Sequence, residues 1–292
     1  MALALDRHAS AAPRTGPGLF GVRRFDRTRL ALAALLSLVS IGPLLYMVSL
    51  SFQSNSDLLG QTVLVPSHPT GSNYVQAWTE NSFAQYFLNS LIVALATVGI
   101  TVIVSSLAAF AFARYSFPGK ELVFYIFLAS LAVPGLLLLI PQYLLLDRIH
   151  LLDSLVGLIF LYSASNLPFM IFLLRSFFQA IPREYEESFR LDGAGALKVL
   201  TRLIVPLSLP ALAVVSMFTF SAAWDEFPVA LTMINSPDHF TLPVGLAEFI
   251  GAHTVAWGPF FAASVIATVP VIVVFLVTQR WFRSGVSLGG IR

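Results

Sequence analysis

The segment EYEESFRLDGAGALKVLTRLIVPLSLP, residues 184–210, departs from everything around it. The chain has 292 residues, of which 17 are Lys or Arg and 15 are Asp or Glu; eight of these charges fall between Arg183 and Arg202. Pro182 precedes the segment and Pro206 and Pro210 close it, so helix punctuation brackets it. Phe189, Gly193, Leu197, Leu200 and Ile204 recur at intervals of four, four, three and four, the spacing of one apolar helical stripe. Glu186 and Arg190 stand i,i+4 in the favourable order and are expected to support each other on the wet face. Gly193, with Gly195 close by, permits a bend in the middle. Glu184, Glu186, Glu187 and Asp192 balance Arg183, Arg190, Lys198 and Arg202. Amphipathic helices that lie on lipid usually carry a basic polar face. A balanced one is better suited to a groove on another protein.

Outward from this segment the chain is apolar. Its composition is 57% hydrophobic and 11% charged, against roughly 45–50% and 25% in ordinary soluble domains. A water-soluble fold cannot hide that much apolar surface, so an all-α integral membrane protein is expected. Six runs are long enough to cross a bilayer: 30–52, 85–113, 122–146, 154–178, 203–224 and 259–282. Pro43, Pro134, Pro141, Pro168, Pro206, Pro210 and Pro270 lie in or beside them, where proline bends a membrane helix. Residues 1–29, rich in Ala, Pro, Gly and Arg, form a flexible basic tail, and residues 30–292 form one transmembrane domain. The rival reading of the N-terminus as a signal peptide fits less well. The apolar run after the arginines is too long for an h-region, and no small-x-small cleavage site follows it.

Charge fixes the expected orientation. With both termini in the cytoplasm, 16 of the 17 Lys and Arg residues fall on cytoplasmic segments; Arg148 is the exception. The loops 53–84 and 225–258 contain neither Lys nor Arg. This is the asymmetry of the positive-inside rule. The segment 183–202 then lies in the cytoplasmic loop between the fourth and fifth spans. The net charge of +2 suggests no nucleic-acid partner. Absence of cysteine excludes disulfides and thiolate metal sites, and the five histidines have no metal-ligand spacing.

The segment also resembles the cytoplasmic signature loop of ABC importer permeases, which runs Glu-Ala-Ala, three residues, Gly, nine residues, Ile-x-Leu-Pro. Here Glu187 and Gly193 take the Glu and Gly positions, and Leu203, Ile204, Val205 and Pro206 the last four. Ser188 and Phe189 replace the alanines; Phe189, bulky where the pattern has Ala, is the main departure. Seven further stretches resemble carbohydrate-importer permeases of the maltose type, the MalG-like subunit. They are FLNSLIVALAT (87–97), AAFAFARYSFPGK (108–120), IPQYLLL (140–146), LPFMIFLLRSFFQAIP (167–182), AWDEFPVAL (223–231), LPVGL (242–246) and QRWFRSGVSLGGIR (279–292).

That resemblance implies the type I ABC importer permease fold in a bacterial plasma (inner) membrane. It implies a second homologous permease, a dimer of ATP-binding subunits and an extracytoplasmic solute-binding protein as partners, with lipid around the spans. The coupling helix, about 183–202, would meet the ATPase through Glu187, Ser188, Asp192, Gly193, Leu203 and Pro206. Asp238, His239, Glu248 and His253 in the second outer loop would contact the binding protein. Trp224, Asp225, Glu226, Asn89 and Asn166 are candidates for the gate or the path of a sugar or sugar derivative. No cofactor is expected on this chain, and ATP and Mg belong to the partner ATPase. The one Gly-Lys pair, Gly119-Lys120, is followed by Glu121 and has Arg114 where a phosphate-binding loop needs its first Gly. A standalone channel or ion-coupled carrier would place ionisable groups at mid-membrane, and the spans contain few polar groups beyond Asn89, Asn166 and Gln142. An enzyme would need a nucleophile and base within reach, and the sequence offers no such pattern.

Overall fold

The computed structural model describes residues 27–54, 57–58, 65–66, 68–79, 82–250 and 256–288, with side chains between 28 and 281. Residues through Leu45 and residues from Tyr46 onward form two compact units. Helix α1 (Arg27–Ser51) begins in the first and ends in the second. It is apolar around its whole circumference, as suits a lipid-exposed helix.

The second unit is built on α3 (Phe83–Arg114), preceded by the short α2 (Ser72–Thr79). Its 32 residues make a rod of about 48 Å, longer than the ~30 Å hydrocarbon core. The pattern of α3 is inverted relative to a soluble helix. Ser90, Ala94, Thr97, Thr101 and Ser105 face inward and are buried, whereas Leu88, Ile92, Leu95, Ile103 and Leu107 face outward. Small inward residues let helix backbones approach closely, and lipid tails accept the leucines. α3 packs chiefly on α6 (Leu155–Ala180), and α10 (Leu209–Trp224) packs on α3 and on α13 (Trp257–Leu288).

Four helices are long and apolar enough to span, at 28–51, 83–114, 155–180 and 257–281. The remaining two expected spans are broken rods. α4 (Lys120–Ser130) turns by 97° into a 3-10 turn and α5 (Leu139–Arg148), with Pro134 at the break. The other runs from Ala196 to Leu207 and bends by 82° at Ser208 into α10. There Pro206 and Pro210 remove two amide donors four residues apart, so neither turn supplies a complete set of helical hydrogen bonds. Pro43, Pro168 and Pro270 sit inside helices that continue through them.

Two large apolar clusters and a smaller one, Phe112, Phe124 and Ile171, lie along α3. One gathers Phe83, Leu146, Leu158, Phe220, Met233 and Leu242 near its N-terminus. The other gathers Phe110, Leu174, Phe178, Val199, Ile204 and Val215 near its C-terminus. The turn between α5 and α6 is pressed onto the first turn of α6 at Gly157. A Cβ there would run into the backbone carbonyl of Leu151, which cannot move aside as a side chain can. Gly157→Ala is therefore expected to destabilise the purified protein by about 1–3 kcal/mol in SDS unfolding from detergent micelles.

Candidate coupling loop and transport path

The charged segment does not fold as one striped helix. α7 (Arg183–Leu191) ends at Asp192, Gly193 turns the chain, and α8 (Ala196–Val199) leads through a π-helical turn, Leu200–Ile204, into α9 (Val205–Leu207). Gly193 has φ +76, in the left-handed region. Its amide donates to the Arg190 carbonyl (3.0 Å), and the amide of Ala194 to that of Phe189 (3.0 Å), closing the helix in the manner of a Schellman cap. Because the chain turns at Gly193, the expected stripe is interrupted. Phe189 packs against the cluster at the C-terminal end of α3 and Leu200 and Ile204 are buried, but Leu197 is exposed.

The expected pairing of Glu186 with Arg190 on a wet face is corrected. Glu186 is buried and forms an ion pair with Arg114 at the C-terminus of α3; the two side chains are 6% and 4% exposed. Arg114 also donates to the carbonyl of Ile181 (2.9 Å). Residues Ile181 and Pro182 are extended, so α6 and α7 are separate rods joined by a break that Arg114 fastens. Glu186 lies three residues before Phe189 and hence shares its inward face. That spacing was the sequence signal available; the i,i+4 arrangement with Arg190 masked it. A second clasp, Arg175 to Glu121 (2.8 Å), holds α6 to α4 nearby, with the Arg175 guanidinium over the Phe124 ring at 3.8 Å.

Glu187, Ser188, Asp192, Gly193 and Pro206 are exposed, and Leu203 is buried beneath them. Beside the exposed acids stand three apolar side chains that this chain leaves uncovered: Tyr185, Leu191 and Leu197, with Leu191 90% exposed.

At the opposite end of α3 the segment after α10 folds into α11 (Pro228–Met233), a 3-10 turn at Pro237–His239 and α12 (Leu242–Glu248). Asp238 and Glu248 are exposed and His239 is half-buried; His253 lies outside the described residues, as do residues 1–26. Asn89 is buried and donates to the carbonyls of Asp238 and Phe240, both at 2.9 Å. Gln85 donates to the Asp238 carbonyl (2.8 Å), and Ser90 Oγ accepts from the amide of Leu242 (2.7 Å). Trp224 is a buried brace. Its indole donates to the Ala267 carbonyl (3.1 Å), and its ring stacks on Phe220. Asp225 is exposed beside it, at the rim of a 420 Å³ cavity that Trp224, Leu242 and Thr268 also line. Glu226 caps α11 through the amides of Val229 and Ala230 and accepts from Tyr162 Oη (2.7 Å). Its carboxylate also borders a 410 Å³ cavity with Gln142, Tyr162, Ser165 and Asn166, walled by Gly135 and Leu136 of the first broken span. Asn166 spends its amide on the Tyr162 carbonyl, within α6 (2.8 Å).

Asp153 was not among the residues singled out from the sequence. It sits at φ +53, which a short acidic side chain tolerates, and accepts from the amides of Asn235 and Ser236 (2.9 Å each) and from Ser236 Oγ. Burial raises its pKa, but the bonds from Ser236 and Asn235 and the nearby His239 outweigh burial and hold the carboxyl below its ordinary value. A depressed pKa in the folded state stabilises above the unfolded value and loses that contribution as pH falls through the folded one. Asp153→Ala is expected to loosen 234–240 by about 1–3 kcal/mol at pH 7, seen as faster amide exchange there. The charge-dependent part of its effect should begin to shrink as the medium is taken below about pH 4 and be lost once the folded carboxyl is itself protonated.

The model of the family described as "Binding-protein-dependent transport system inner membrane component" matches residues 101–287. The chain is a member of that family. It is 34% identical to the diacetylchitobiose uptake system permease protein NgcG of Streptomyces coelicolor over 272 residues, 92% of this chain and 90% of that one. It is 34% identical to the trehalose/maltose transport system permease protein MalG of Thermococcus litoralis over 263 residues, 89% and 94% of the two chains. Among solved structures it matches a chain of a bacterial ABC transporter that imports the acidic polysaccharide alginate, with a TM-score of 0.80. The identity is 23%, covering 91% of this chain and 100% of that one.

Proposed function

We propose that this chain is the permease subunit of an ATP-driven importer of sugars or sugar derivatives. With a second permease it would enclose a path that opens alternately to the two sides of a bacterial inner membrane. Both termini and the loop 183–207 would face the cytoplasm. That orientation rests on the distribution of Lys and Arg.

The observation that carries the reading is the loop itself. Its back is anchored in the apolar cluster by Phe189, Val199 and Ile204, and by the buried Glu186. Its front presents Glu187 and Asp192 beside uncovered Tyr185, Leu191 and Leu197. Apolar side chains flanked by charge, on a rigidly backed helix, form the surface a partner's cleft would bury. The energy then comes from ATP and Mg on that partner, and this chain supplies the path. Asp238, His239 and Glu248 would meet a solute-binding protein on the other side, and the cavity at Gln142, Asn166 and Glu226 offers donors and acceptors suited to sugar hydroxyls.

The test is reconstitution into liposomes. The chain assembled with a second permease, the ATP-binding subunits and the binding protein from its own chromosomal neighbourhood should take up a labelled sugar only with internal ATP. The chain alone should be silent; uptake by it alone would establish a standalone carrier instead.

A further inference from the structure

Nucleotide-driven movement at one end of the bundle has to reach the loop at the other. Most of the spans are poorly built to carry it. Two are bent, by 97° and 82°. Helices α1, α6 and α13 continue through a proline, but that proline removes one hydrogen bond from the ladder of each. The direct covalent exits from α7–α8 are compliant too: an extended break at Ile181 and Pro182 on one side, and a π turn followed by the Ser208 bend on the other.

Among the described spans, α3 alone has neither proline nor break. It is also the span fastened at both ends by buried polar contacts. At its C-terminus Arg114 holds Glu186 of α7 and the carbonyl of Ile181. At its N-terminus Asn89 holds the carbonyls of Asp238 and Phe240, and Ser90 holds the amide of Leu242. The two fastenings are about 37 Å apart along an unbroken helix. Sharp kinks in helices arise at prolines, Gly/Ser pairs, π turns and inserted groups; α3 contains Gly99 and the pair Ser105 and Ser106 but runs through them as one continuous helix, so it passes on a displacement that a broken rod absorbs.

We propose that α3 is the transmission rod of this protein, with Arg114–Glu186 as the clasp through which the docking loop moves it and Asn89 as the clasp through which it moves the 238–242 segment. Arg114, Glu186 and Asn89 are positioning residues; none has to touch ATP or sugar. The inference rests on the reading of 183–207 as the docking loop.

The test uses the complete transporter in lipid nanodiscs, trapped with Mg, ATP and orthovanadate. Amide exchange is compared with and without trapping at 196–207 and at 235–250. In the wild type both segments should respond. In the double variant Arg114→Ala/Glu186→Ala the ATP-binding subunit should still co-purify and trap vanadate, while the response at 235–250 falls at least fivefold. The reversed pair Arg114→Glu/Glu186→Arg should restore at least half of it, which a purely packing role would not. If the double alanine variant does not assemble, Asn89→Leu tests the other clasp: 196–207 should respond and 235–250 should not. A normal response at 235–250 in either variant would overturn the rod. A wild type that traps nucleotide with no change at 235–250 would do the same. A wild type with which no ATP-binding subunit co-purifies would remove the docking-loop reading itself, and the rod with it.

Discussion

Arg114→Ala alone should be the most damaging single change in the described part of the chain, destabilising it by about 3–5 kcal/mol. The reason is the partner it leaves behind. Glu186 is only 6% exposed, so its charge would lose its counterion without gaining water. Replacing both members should be milder, because the two buried charges leave together and only the Ile181 carbonyl loses its donor. SDS unfolding in micelles separates the two cases. Arg114→Ala should lose most of its folded yield, and Arg114→Ala/Glu186→Ala should recover much of it. Equal losses in both would show that the guanidinium contributes by volume alone.

Gly193→Val should produce a different kind of failure, with the fold intact and the coupling lost. No atom stands within 4 Å of a Cβ placed at Gly193, so sterics with neighbours play no part. The obstacle is φ +76, which costs an ordinary L-residue roughly 1–2 kcal/mol and a β-branched one more. The chain can relieve that strain by unwinding the cap, since Asp192, Gly193 and Gly195 are exposed and lightly held. Doing so would swing Glu187 and Leu191 away from Leu197 and dissolve the proposed docking surface. ATP-dependent uptake by the assembled transporter should fall at least tenfold with little change in unfolding stability. Gly195→Val is the matched control. It too has open space around it, but φ at Gly195 is −72, so it should retain most of the uptake. Similar losses in both variants would locate the effect in bulk at the interface and not in the turn.

Four spans were legible because lipid removes the need for periodicity: length and absence of charge suffice, and the helices fall within a few residues of 30–52, 85–113, 154–178 and 259–282, whereas the runs 122–146 and 203–224 fold as bent helix pairs. Which prolines would break a helix was less legible. Pro168 and Pro270 lie within continuous rods, whereas Pro134 and the pair Pro206 and Pro210 flank sharp bends. A lone proline removes one donor, which neighbouring groups can compensate; two prolines a turn apart remove donors from adjacent turns. The signature spacing from Glu187 to Pro206 marked the loop, and the turn at Gly193 falls where a bend was expected.

The fastenings within the site were not legible, for a different reason. Arg114 meets Glu186, Asn89 meets Asp238 and Phe240, and Asp153 meets Ser236 only after the spans have packed. Polar residues in such pairs carry no local periodic signal. Asn89 and Glu226 looked like groups lining a path. In the structure both have hydrogen bonds to the segment 229–240, and Glu226 borders the polar cavity as well. Leu197 looked like a core residue because the helical period was carried across a turn that interrupts it.

The natural chain contains no cysteine, which permits a direct test of where the docking loop faces and what it touches. Glu187 and Asn235 are both exposed, at opposite ends of the bundle. In cells expressing the whole transporter, Glu187→Cys should be silent to a membrane-impermeant maleimide added outside and should form a cross-link to the ATP-binding subunit. Asn235→Cys should label from outside and form no such link. Labelling of Glu187→Cys from outside, or a cross-link from Asn235→Cys to the ATP-binding subunit, would contradict the assignment of residues 183–207 as the cytoplasmic coupling loop.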